Sequence, residues 1–419
     1  MTVTRHGTVL LTGAAAGIGR AAALRLAQAG WRCVLVDADA AALKRLRDDW
    51  PQLGSSPLCL AADLTDPAQI DALARQVPPL DALINNAGLS AGGADALSGE
   101  GDGAAARLLA LNLSAPAGLV QACANQLRPG ARVVNIASGA GLRAIPWRGL
   151  YSPSKAGLIA QTQALARARP EWTVTALSPG FVRTELVQRL IDSGRLDPAK
   201  AVAKIPLGRM AEPGDMAEAL CFLVSPGARV LTGQLLVLDG GSSVYGGSEA
   251  LPAAMRPTLP WGSSLALKCV DVKVPVWRNA LDICATTRNC QLDEAQKDSP
   301  AYAAVLDGAA MEAGPGAVLQ TVLRSARRFR ACHDAHASLT LLLAPPDPDI
   351  PWEQAGDAAA ARMLIATLAV EWGAFGLRIN AMEAVPGMAP GDCLPLLEYM
   401  AGPRAQFLTG QLLRPGARS

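Results

Sequence analysis

The sequence contains few aromatic residues and no long run of one charge. Phenylalanine, tryptophan and tyrosine make up 4% of its 419 residues, whereas glycine alone contributes 40 residues. Small side chains in this abundance are typical of helices that lie close on a sheet. Lysine and arginine number 38 and aspartate and glutamate 36, which leaves a formal net charge of +2. The sequence therefore gives no reason to expect nucleic acid or an anionic membrane as a partner.

Export signals, membrane spans and a disulfide framework are also missing from the sequence. Residues 1–7 lack the apolar stretch and cleavage site of a signal peptide, and no apolar run reaches the ~20 residues that span a bilayer. The 9 cysteines are odd in number and scattered, as in a protein with reduced thiols. Cysteines and histidines between positions 284 and 336 fit no standard zinc spacing. We therefore expect a cytoplasmic protein without a metal site.

Short apolar strands alternate with helical segments in the first part of the chain. An alanine-rich helix is predicted at 18–28, and Gly30 is placed to end it because glycine adopts the left-handed conformation at a helix terminus. The alternation predicts an α/β fold, a Rossmann-type doubly wound parallel sheet covered by helices on both faces. The strands are predicted at 8–11, 33–36, 58–61, 82–84, 133–136, 173–177 and 235–238.

The second part of the chain repeats pieces of the first. A chain of 419 residues is too long for one ordinary domain, and residues 246–262 hold several prolines without periodicity, as in a linker. Echoes in the same order predict a tandem duplication: a catalytic domain at 1–245, the linker, and a second, degenerate Rossmann-like α/β domain at 263–419. The echoes pair 228–236 with 405–413, 177–180 with 384–387, 155–177 with 364–380 and, more weakly, 81–84 with 302–306.

The segment Thr12-Gly-Ala-Ala-Ala-Gly-Ile-Gly19 joins the first strand to the first helix. Glycines in such a turn let backbone amides approach a pyrophosphate, and the helix N-terminus offers partial positive charge. A glycine-rich turn alone is a weak signal, but here Asp37 closes the second strand. A carboxylate there can accept hydrogen bonds from both hydroxyls of an adenosine ribose and would repel a 2′-phosphate, and neither Ala16 nor Ala38 is basic. This combination predicts NAD rather than NADP as the cofactor.

Tyr151 and Lys155 are spaced to lie on one face of a helix, about one turn apart. A free tyrosine has a pKa of about 10, too high for a base at neutral pH. A nearby ammonium and the positive nicotinamide ring of NAD+ both lower the pKa of a tyrosine. Ser138 lies at the end of a strand shortly upstream, where its hydroxyl can hold a substrate oxygen. The three side chains predict a hydride-transfer site in which the tyrosine accepts or donates the proton.

With these motifs, the first 245 residues resemble a classical short-chain dehydrogenase/reductase. Asp63-Leu64 matches the family's adenine-contacting pair, and Asn85-Asn-Ala-Gly88 matches the motif that steadies the central sheet. Asn112 stands where the family keeps an asparagine that holds a water near the lysine, and Pro179–Thr184 matches the segment that contacts nicotinamide.

The resemblance implies a full set of site residues. The implied catalytic tetrad is Asn112, Ser138, Tyr151 and Lys155. The implied cofactor-binding residues lie on the glycine turn, at strand ends and on the catalytic helix: Gly13, Ala16, Gly17, Ile18, Gly19, Asp37, Asp63, Leu64, Asn86, Ala87, Gly88, Tyr151, Lys155, Pro179, Gly180, Val182 and Thr184.

The second half departs from the family pattern. In the alignment of its long helix, Gln354 stands where the tyrosine is expected and Ala358 where the lysine is expected. No glycine-rich turn lies between 265 and 300, so the opening strand–helix–strand unit is expected to be truncated or rebuilt, and the copy to neither bind a dinucleotide nor catalyse. Family members resemble one another in packing through long helices and through the last helix and strand, and those pieces are echoed here. The resemblance therefore implies a built-in inactive partner, and a homodimer of two-domain chains that mimics the family's tetramer.

The predicted function is NAD-dependent interconversion of a secondary alcohol and a ketone, with Tyr151 as acid and base. Two alternatives stay open: a 3-oxoacyl thioester reductase that uses NADPH, and an NAD-sensing scaffold whose second half docks a partner protein. The filled catalytic tetrad argues against the scaffold. The sequence does not identify the small-molecule substrate, because one fold serves many substrates.

Overall fold

The computed structural model describes residues 7–51, 55–90, 102–143, 145, 149–194, 196–295, 301–314, 316–345, 347, 349–350 and 352–416. The chain forms two compact units, Met1–Ser193 with Glu212–Val237, and Gly194–Ala211 with Leu238–Ser419. Packing therefore groups the predicted linker and part of the predicted catalytic domain with the second half. The predicted domain boundaries were drawn from the sequence repeat and not from packing. They stay predictions: 1–245, 246–262 and 263–419.

The first half of the chain forms a parallel sheet of seven strands in the order β3-β2-β1-β4-β5-β6-β7. Val9 of β1 is in register with Cys33 of β2 on one side and Ala82 of β4 on the other. The chain thus builds outwards from β1 in both directions, which is the doubly wound topology, and the predicted fold class is confirmed. The strands are β1 (Thr8–Thr12), β2 (Arg32–Asp37), β3 (Leu58–Ala61), β4 (Leu80–Asn85), β5 (Leu127–Ile136), β6 (Thr173–Pro179) and β7 (Leu235–Leu238).

Helices lie between these strands, and local sequence fixes several of their ends. Asp66 accepts a hydrogen bond from Ala68 N at 2.9 Å and caps α3, and Gly30, with a φ of +89°, ends α1 as predicted. The helices are α1 (Gly17–Gln28), α2 (Ala40–Asp48), α3 (Pro67–Ala74), α4 (Asp102–Leu109), α5 (Ala115–Ala122), α6 (Tyr151–Ala168), α7 (Glu185–Asp192), α8 (Pro198–Val202) and α9 (Pro213–Leu223). A π-helical turn, Ala110–Ser114, separates α4 from α5.

The core of the first unit contains apolar strand residues and the helices that cover them. Leu10 and Val34 pack in one cluster with Ile70 of α3, Leu119 of α5 and the buried indole of Trp172. Strands of a parallel sheet are buried on both faces, which explains their nearly continuous apolar sequence.

A chain of buried polar side chains links β4, β5 and α6. Asn85 Nδ2 donates to Asn135 Oδ1, and Asn135 Nδ2 donates to Thr162 Oγ1, each at 2.9 Å. Thr162 Oγ1 in turn donates to Leu158 O at 2.8 Å. The chain holds α6, the helix of Tyr151 and Lys155, against the strands that end beneath the site.

The second unit contains a five-stranded parallel sheet in the order β12-β11-β10-β9-β8. Its strands are β8 (Leu265–Val270), β9 (Tyr302–Asp307), β10 (Ala337–Leu343), β11 (Leu377–Glu383) and β12 (Leu412–Leu413). Its helices are α10 (Pro275–Ala295), α11 (Val318–Cys332), α12 (Trp352–Trp372) and α13 (Pro390–Ala401). Phe329 of α11, Ile365 of α12 and Leu339 of β10 share one apolar core.

The opening strand–helix–strand unit of this second sheet is present. β8 and β9 pair in parallel, with Leu265 opposite Tyr302, and α10 connects them. Compared with the first half, this unit is shortened and rebuilt, which agrees with the expectation of a truncated or rebuilt unit. The order β8-β9-β10-β11-β12 follows that of β1-β4-β5-β6-β7, so the strands without a counterpart are β2 and β3.

Two helical stretches correct the expectation that no segment is long and apolar enough to span a bilayer. Gly103–Ala122 and Gly356–Phe375 each have 20 residues, a mean hydropathy of 1.3 and 33% of that stretch buried. Core helices of globular proteins pass the same test, so these two helices are weak evidence for a membrane.

Thr162→Val removes the acceptor of the Asn135 amide and leaves that buried donor without a partner. Such a loss costs about 1–3 kcal/mol, so we expect a lower midpoint in urea unfolding followed by circular dichroism. Thr367→Val is the matched control, because Thr367 Oγ1 also donates to the carbonyl four residues earlier, at 2.9 Å, but on an exposed face. A surface substitution should stay within about 0.5 kcal/mol. Equal losses in the two variants would contradict the role of the polar chain.

Candidate active site

The turn between β1 and α1 has a backbone that requires glycine. Gly13 has a φ of +62°, and a Cβ there would lie 2.8 Å from Ala87 Cα. A Cβ on Gly19 would lie 1.9 Å from the carbonyl oxygen of Gly13. Ala16, at the N-cap position of α1, provides no side-chain cap. The first amides of α1, those of Gly17 and Ile18, are thus left for a ligand or for a neighbouring side chain.

Thr12 and Asn86 hold this turn against the end of β4. Thr12 Oγ1 accepts hydrogen bonds from the backbone amides of Asn86 and Ala87, each at 3.0 Å. Asn86 Nδ2 donates to Thr12 O at 2.9 Å and to Gly13 O at 3.0 Å. The structure therefore brings together residues that were predicted from two separate motifs.

Asp37, at the end of β2, lies beside the same turn. Its Oδ2 accepts from the amide of Ala15 at 3.0 Å, and its Oδ1 accepts from the amide of Asp39 at 3.1 Å. Hydrogen bonds from two backbone amides fix the position of the carboxylate. The carboxylate is thus preorganised next to the glycine turn, as the sequence predicts.

Asp63 already has hydrogen-bond partners on both carboxylate oxygens. Oδ1 accepts from Thr65 N at 3.0 Å and from Thr65 Oγ1 at 2.7 Å, and Oδ2 accepts from Arg107 NH2 at 3.0 Å. These bonds, chiefly that of the Thr65 amide, lower the pKa of Asp63. The adjacent Leu64 is buried.

Asn112 lies in the π-helical turn between α4 and α5 and is fully buried. Its Oδ1 accepts from Leu89 N and its Nδ2 donates to Leu89 O, both at 2.8 Å. Nδ2 also donates to Ser154 Oγ of α6 at 3.2 Å. A π-turn inserts one residue into a helix and is frequent at functional sites. Here the turn directs the asparagine side chain towards the helix that carries the tyrosine and the lysine.

Lys155 is a buried cation. Its Nζ donates to Ile136 O at 2.8 Å, and burial lowers the pKa of the ammonium to about 8. A Cβ on Gly88 would lie 3.2 Å from Asn112 Oδ1 and 3.5 Å from Lys155 Nζ. Gly88, Asn112 and Lys155, predicted from three distant motifs, therefore meet at one place.

Tyr151 begins α6, with the Nζ of Lys155 at 5.9 Å from the centroid of its ring. Ser138 follows β5, and its Oγ accepts from Ala140 N at 3.2 Å. A Cβ on Gly141 would lie 2.8 Å from the carbonyl carbon of Lys155, so the turn that begins at Ser138 packs directly on α6. Ser138 and Tyr151 are both half-buried and thus accessible to a small molecule.

The segment after β6 lies next to the glycine turn. Pro179 ends β6, Gly180 is half-buried and Val182 is buried. Thr184 caps α7 by accepting from Val187 N at 3.3 Å. A Cβ on Gly17 would lie 3.2 Å from Thr184 Cγ2, so this segment borders the turn that was predicted to hold a pyrophosphate.

A carboxylate lies on the glycine turn itself. Glu185 Oε2 accepts from the Gly17 amide at 3.0 Å. Glu185 is exposed and begins α7, a helix without a buried residue. An anionic side chain thus binds an amide at the N-terminus of α1, where a dinucleotide would place its own negative charge.

The carboxyl edge of the second sheet has a different character. Asp307 ends β9 with 1% of its side chain exposed, and Arg328 NH2 lies 2.8 Å from it and 2.7 Å from Asp271, the residue that follows β8. Asp271 directly follows the first strand of the second sheet, just as Gly13 directly follows the first strand of the first sheet. The edge therefore carries paired carboxylates and arginines in the place where the first sheet has its glycine turn.

The second unit also offers no counterpart of the reactive side chains at the aligned positions. Ala358 lies on α12 where a lysine is expected, and the side chain of Gln354 lies outside the described residues. Glu383, buried at the end of β11, pairs with Arg362 at 2.9 Å and with Arg414 at 2.8 Å.

Four residues of the first site were missed from the sequence: Thr12, Arg107, Ser154 and Glu185. Thr12 and Ser154 stand inside motifs that were recognised, so their position was visible although their hydrogen bonds were not. Arg107 and Glu185 reach Asp63 and Gly17 across 44 and 168 residues of chain. No spacing rule connects such distant positions.

A family model described as enoyl-(acyl carrier protein) reductase matches residues 13–243. This range begins in the glycine turn and contains every proposed catalytic residue. It covers more than half of the chain.

Curated relatives match the same half. The chain is 37% identical over 242 residues to an uncharacterized short-chain type dehydrogenase/reductase of Sinorhizobium fredii, covering 56% of this chain but only 43% of that protein. It is 32% identical over 256 residues to subunit BbsD of a (2S)-[(R)-hydroxy(phenyl)methyl]succinyl-CoA dehydrogenase of Thauera aromatica, 58% of this chain and 99% of that one. It is 30% identical over 240 residues to a 3-oxoacyl-[acyl-carrier-protein] reductase of Thermotoga maritima, 55% and 96% of the two chains.

Solved structures show the same likeness. A gluconate 5-dehydrogenase from Beutenbergia cavernae, described as putative and NAD(P)-dependent and solved with bound NADP, has a TM-score of 0.54 at 30% identity and covers 58% of this chain and 98% of its own. A variant of an actinorhodin polyketide ketoreductase, solved with NADPH, has a TM-score of 0.53 at 29% identity, covering 58% and 99%.

Proposed function

The chain belongs to the short-chain dehydrogenase/reductase family and is an oxidoreductase, and we propose that it uses NAD to interconvert a secondary alcohol and a ketone. The observation that carries this proposal is the buried ammonium of Lys155, which lies next to Tyr151 and converges with Asn112 and Gly88. No carboxylate among the described residues pairs with it, and a buried cation of this kind favours an anion in its surroundings. The phenolate of Tyr151 is the anion that this reaction needs.

A nicotinamide dinucleotide fits the first site. A side chain on Gly13 or Gly19 would collide with the backbone, so the turn stays open for a close approach of phosphate to the amides of Gly17 and Ile18. The remaining contacts follow the family pattern. Asp37 would hold the adenosine ribose, Asp63 and Leu64 the adenine, Asn86, Ala87 and Gly88 the middle of the dinucleotide, and Pro179, Gly180, Val182 and Thr184 the nicotinamide.

The position of Asp37 supports NAD over NADP. Its carboxylate is fixed by two backbone amides beside the turn. It would accept bonds from ribose hydroxyls there and repel a 2′-phosphate. The relatives with bound NADP and NADPH leave the choice open at the level of the family.

The side chains of this site can transfer one proton from the substrate and form a hydrogen bond to its oxygen. In the oxidative direction, the Tyr151 phenolate removes the hydroxyl proton of the alcohol while the Ser138 hydroxyl holds its oxygen. A bound NAD+ would supply the acceptor for the hydride of the carbinol carbon. The Lys155 ammonium stabilises the phenolate, and Asn112 positions α6 through Ser154. Because the pKa of Lys155 is about 8, the charge that stabilises the phenolate is present below that pH and lost above it.

Tyr151→Phe should abolish turnover and leave the binding of NAD+ intact. General acid–base catalysis contributes about 10²–10⁴-fold, so we expect at least that loss in kcat/KM. NADH absorbance with a panel of secondary alcohols measures turnover, and calorimetry measures the Kd for NAD+. Tyr245→Phe is the control, since the Tyr245 hydroxyl bonds to the Glu249 carbonyl outside the site. A Tyr151→Phe variant that keeps its activity would refute the proposed role and favour the scaffold.

A second candidate is a 3-oxoacyl thioester reductase that uses NADPH. It is favoured by the description of the matching family model and by the relative from Thermotoga maritima. The same assay decides between the two when it is run with both coenzymes. A preference for NADPH with a 3-oxoacyl thioester would replace the proposed NAD-dependent alcohol chemistry.

Glu185→Gln should tighten the binding of NAD+. The carboxylate binds the Gly17 amide and would have to leave before a pyrophosphate reaches that amide. Removing one charge at an exposed helix N-terminus changes binding by about 0.3–1 kcal/mol, or roughly two- to fivefold in Kd. The control is Glu171→Gln, which removes the same charge next to the opposite end of β6. An unchanged Kd in Glu185→Gln would show that the contact does not oppose the cofactor.

We also propose that the second half is a degenerate copy of the first and acts as a structural partner. The shared strand order supports a common origin, and Asp271 in place of the first glycine of the turn and Ala358 in place of the lysine argue against coenzyme binding and catalysis there. Long apolar helices with exposed faces are typical of interfaces between copies. Met363 of α12 is 66% exposed. Two chains would then pair to mimic a four-subunit assembly.

Sedimentation should give a particle of two chains, about twice the 43.3 kDa of one. Met363→Asp places a charge on the exposed face of α12 and is expected to shift the particle to one chain. Val276→Asp is the control, because Val276 is 61% exposed but lies on α10. A monomeric wild type would overturn this assembly, and a dimer that is insensitive to Met363→Asp would exclude α12 from its interface.

A further inference from the structure

A small cavity opens at the amino ends of β9, β10 and β11 in the second unit. Its volume is about 30 Å³, and its lining includes Arg209, Arg256, Tyr302, His336 and Arg378. The described lining residues include three arginines and a histidine but no acidic residue. Because Asp307 and Glu383 mark the carboxyl ends of β9 and β11, the cavity lies at the opposite edge of the sheet from the position of a family cofactor site.

Arg378 is a buried cation without a carboxylate partner. It is 1% exposed, and it forms no ion pair with any residue that the structure describes. Its Nε donates to the Tyr302 hydroxyl at 2.8 Å, and its other donors bond to the carbonyls of Met400, Ala401, Gly402 and Leu408.

The carbonyls around Arg378 offset only part of its charge. Two of them belong to the last turn of α13, and a helix C-terminus carries roughly half an elementary negative charge. A buried guanidinium that is solvated by carbonyls but not paired with a carboxylate keeps its positive charge and favours an anion nearby. All of its donors are already used, so it would attract an anion through charge rather than through a hydrogen bond.

Tyr302 supplies a donor without an acceptor. Its hydroxyl oxygen accepts from Arg378, and its own proton finds no acceptor among the residues that the structure describes. The residue is 2% exposed and lines the cavity. Buried hydrogen-bond donors nearly always have an acceptor, so we expect a ligand in the cavity to accept a hydrogen bond from the Tyr302 hydroxyl.

His336 and Arg256 complete the cationic lining. His336 has a φ of +48° and is half-buried. Both residues line the cavity, and desolvation and then the charge of Arg256 lower the pKa of His336. Arg256 is exposed at the mouth of the cavity, and its guanidinium has no acidic partner among the described residues.

We propose that this cavity is a binding site for a small oxyanion, of the size of phosphate or a short carboxylate. The anion accepts from the Tyr302 hydroxyl and from the Arg256 guanidinium, and it offsets the charge of Arg378. One water molecule needs about 10–15 Å³, so the cavity holds two or three polar atoms of the anion, and the rest of the anion lies at the mouth beside the exposed Arg256. Water would satisfy the hydroxyl of Tyr302 but leave the positive charge in place, which is why an anion is favoured.

The test is a titration with inorganic phosphate and, separately, with acetate, against chloride at constant ionic strength. Stability is followed by thermal unfolding of the full chain, and binding by calorimetry. At ten times Kd, the bound anion should raise the midpoint by roughly 3–6 °C. The acetate arm shows whether carboxylates share the site with phosphate.

Three variants test whether the anion that raises the unfolding midpoint binds in this cavity. Arg256→Ala should abolish the shift, and His336→Asn, which keeps a residue that tolerates the left-handed backbone, should weaken it. Arg327→Ala is the control, since Arg327 is an exposed arginine of α11 outside the cavity, and it should respond like the wild type. The inference is overturned if neither anion binds the wild type, or if Arg256→Ala responds as strongly as the wild type, because the anion then binds elsewhere, for example at the glycine turn.

Discussion

The arrangement of the first unit depends on the burial of one ammonium group. Lys155 is held by the Ile136 carbonyl at the end of a central strand, and Asn112 and Gly88 close around it. An amine in this position favours an anion beside it, and the nearest ionisable oxygen along its own helix belongs to Tyr151. The polar chain through Asn135 and Thr162 fixes α6, the π-turn directs Asn112, and glycine at 88 leaves room for both. These features together hold the buried ammonium of Lys155 near Tyr151.

The second unit has a related strand order but different side chains at the ends of its strands. Its sheet keeps the central strand order, but it lacks counterparts of β2 and β3, which in the first sheet end at Asp37 and near Asp63. Its carboxyl edge is occupied by Asp307 and Glu383, each neutralised by arginine. Arg378, a buried cation without a carboxylate partner among the described residues, lies at the other edge.

Much of this could be predicted from the sequence, because strands of a parallel sheet are short apolar runs and glycine turns have local signatures. All seven predicted strands of the first sheet are present, although β5 begins at Leu127 rather than at 133, and α1 ends at Gln28, shortly before Gly30 as expected. Contacts that depend on distant residues could not be predicted. Glu185 on Gly17, Arg107 on Asp63 and the cavity beside Arg378 join positions that only the fold brings together. The strand and helix at 265–295 were also missed, because no motif marks a strand that is not followed by a glycine turn.

The central claim is that one half of the chain holds the coenzyme and the other holds none. Calorimetric titration of the full chain with NAD+ measures the number of sites directly. One NAD+ bound per chain of 419 residues is the expected result. Two per chain would contradict the inactive second half, and none would contradict the dinucleotide site in the first.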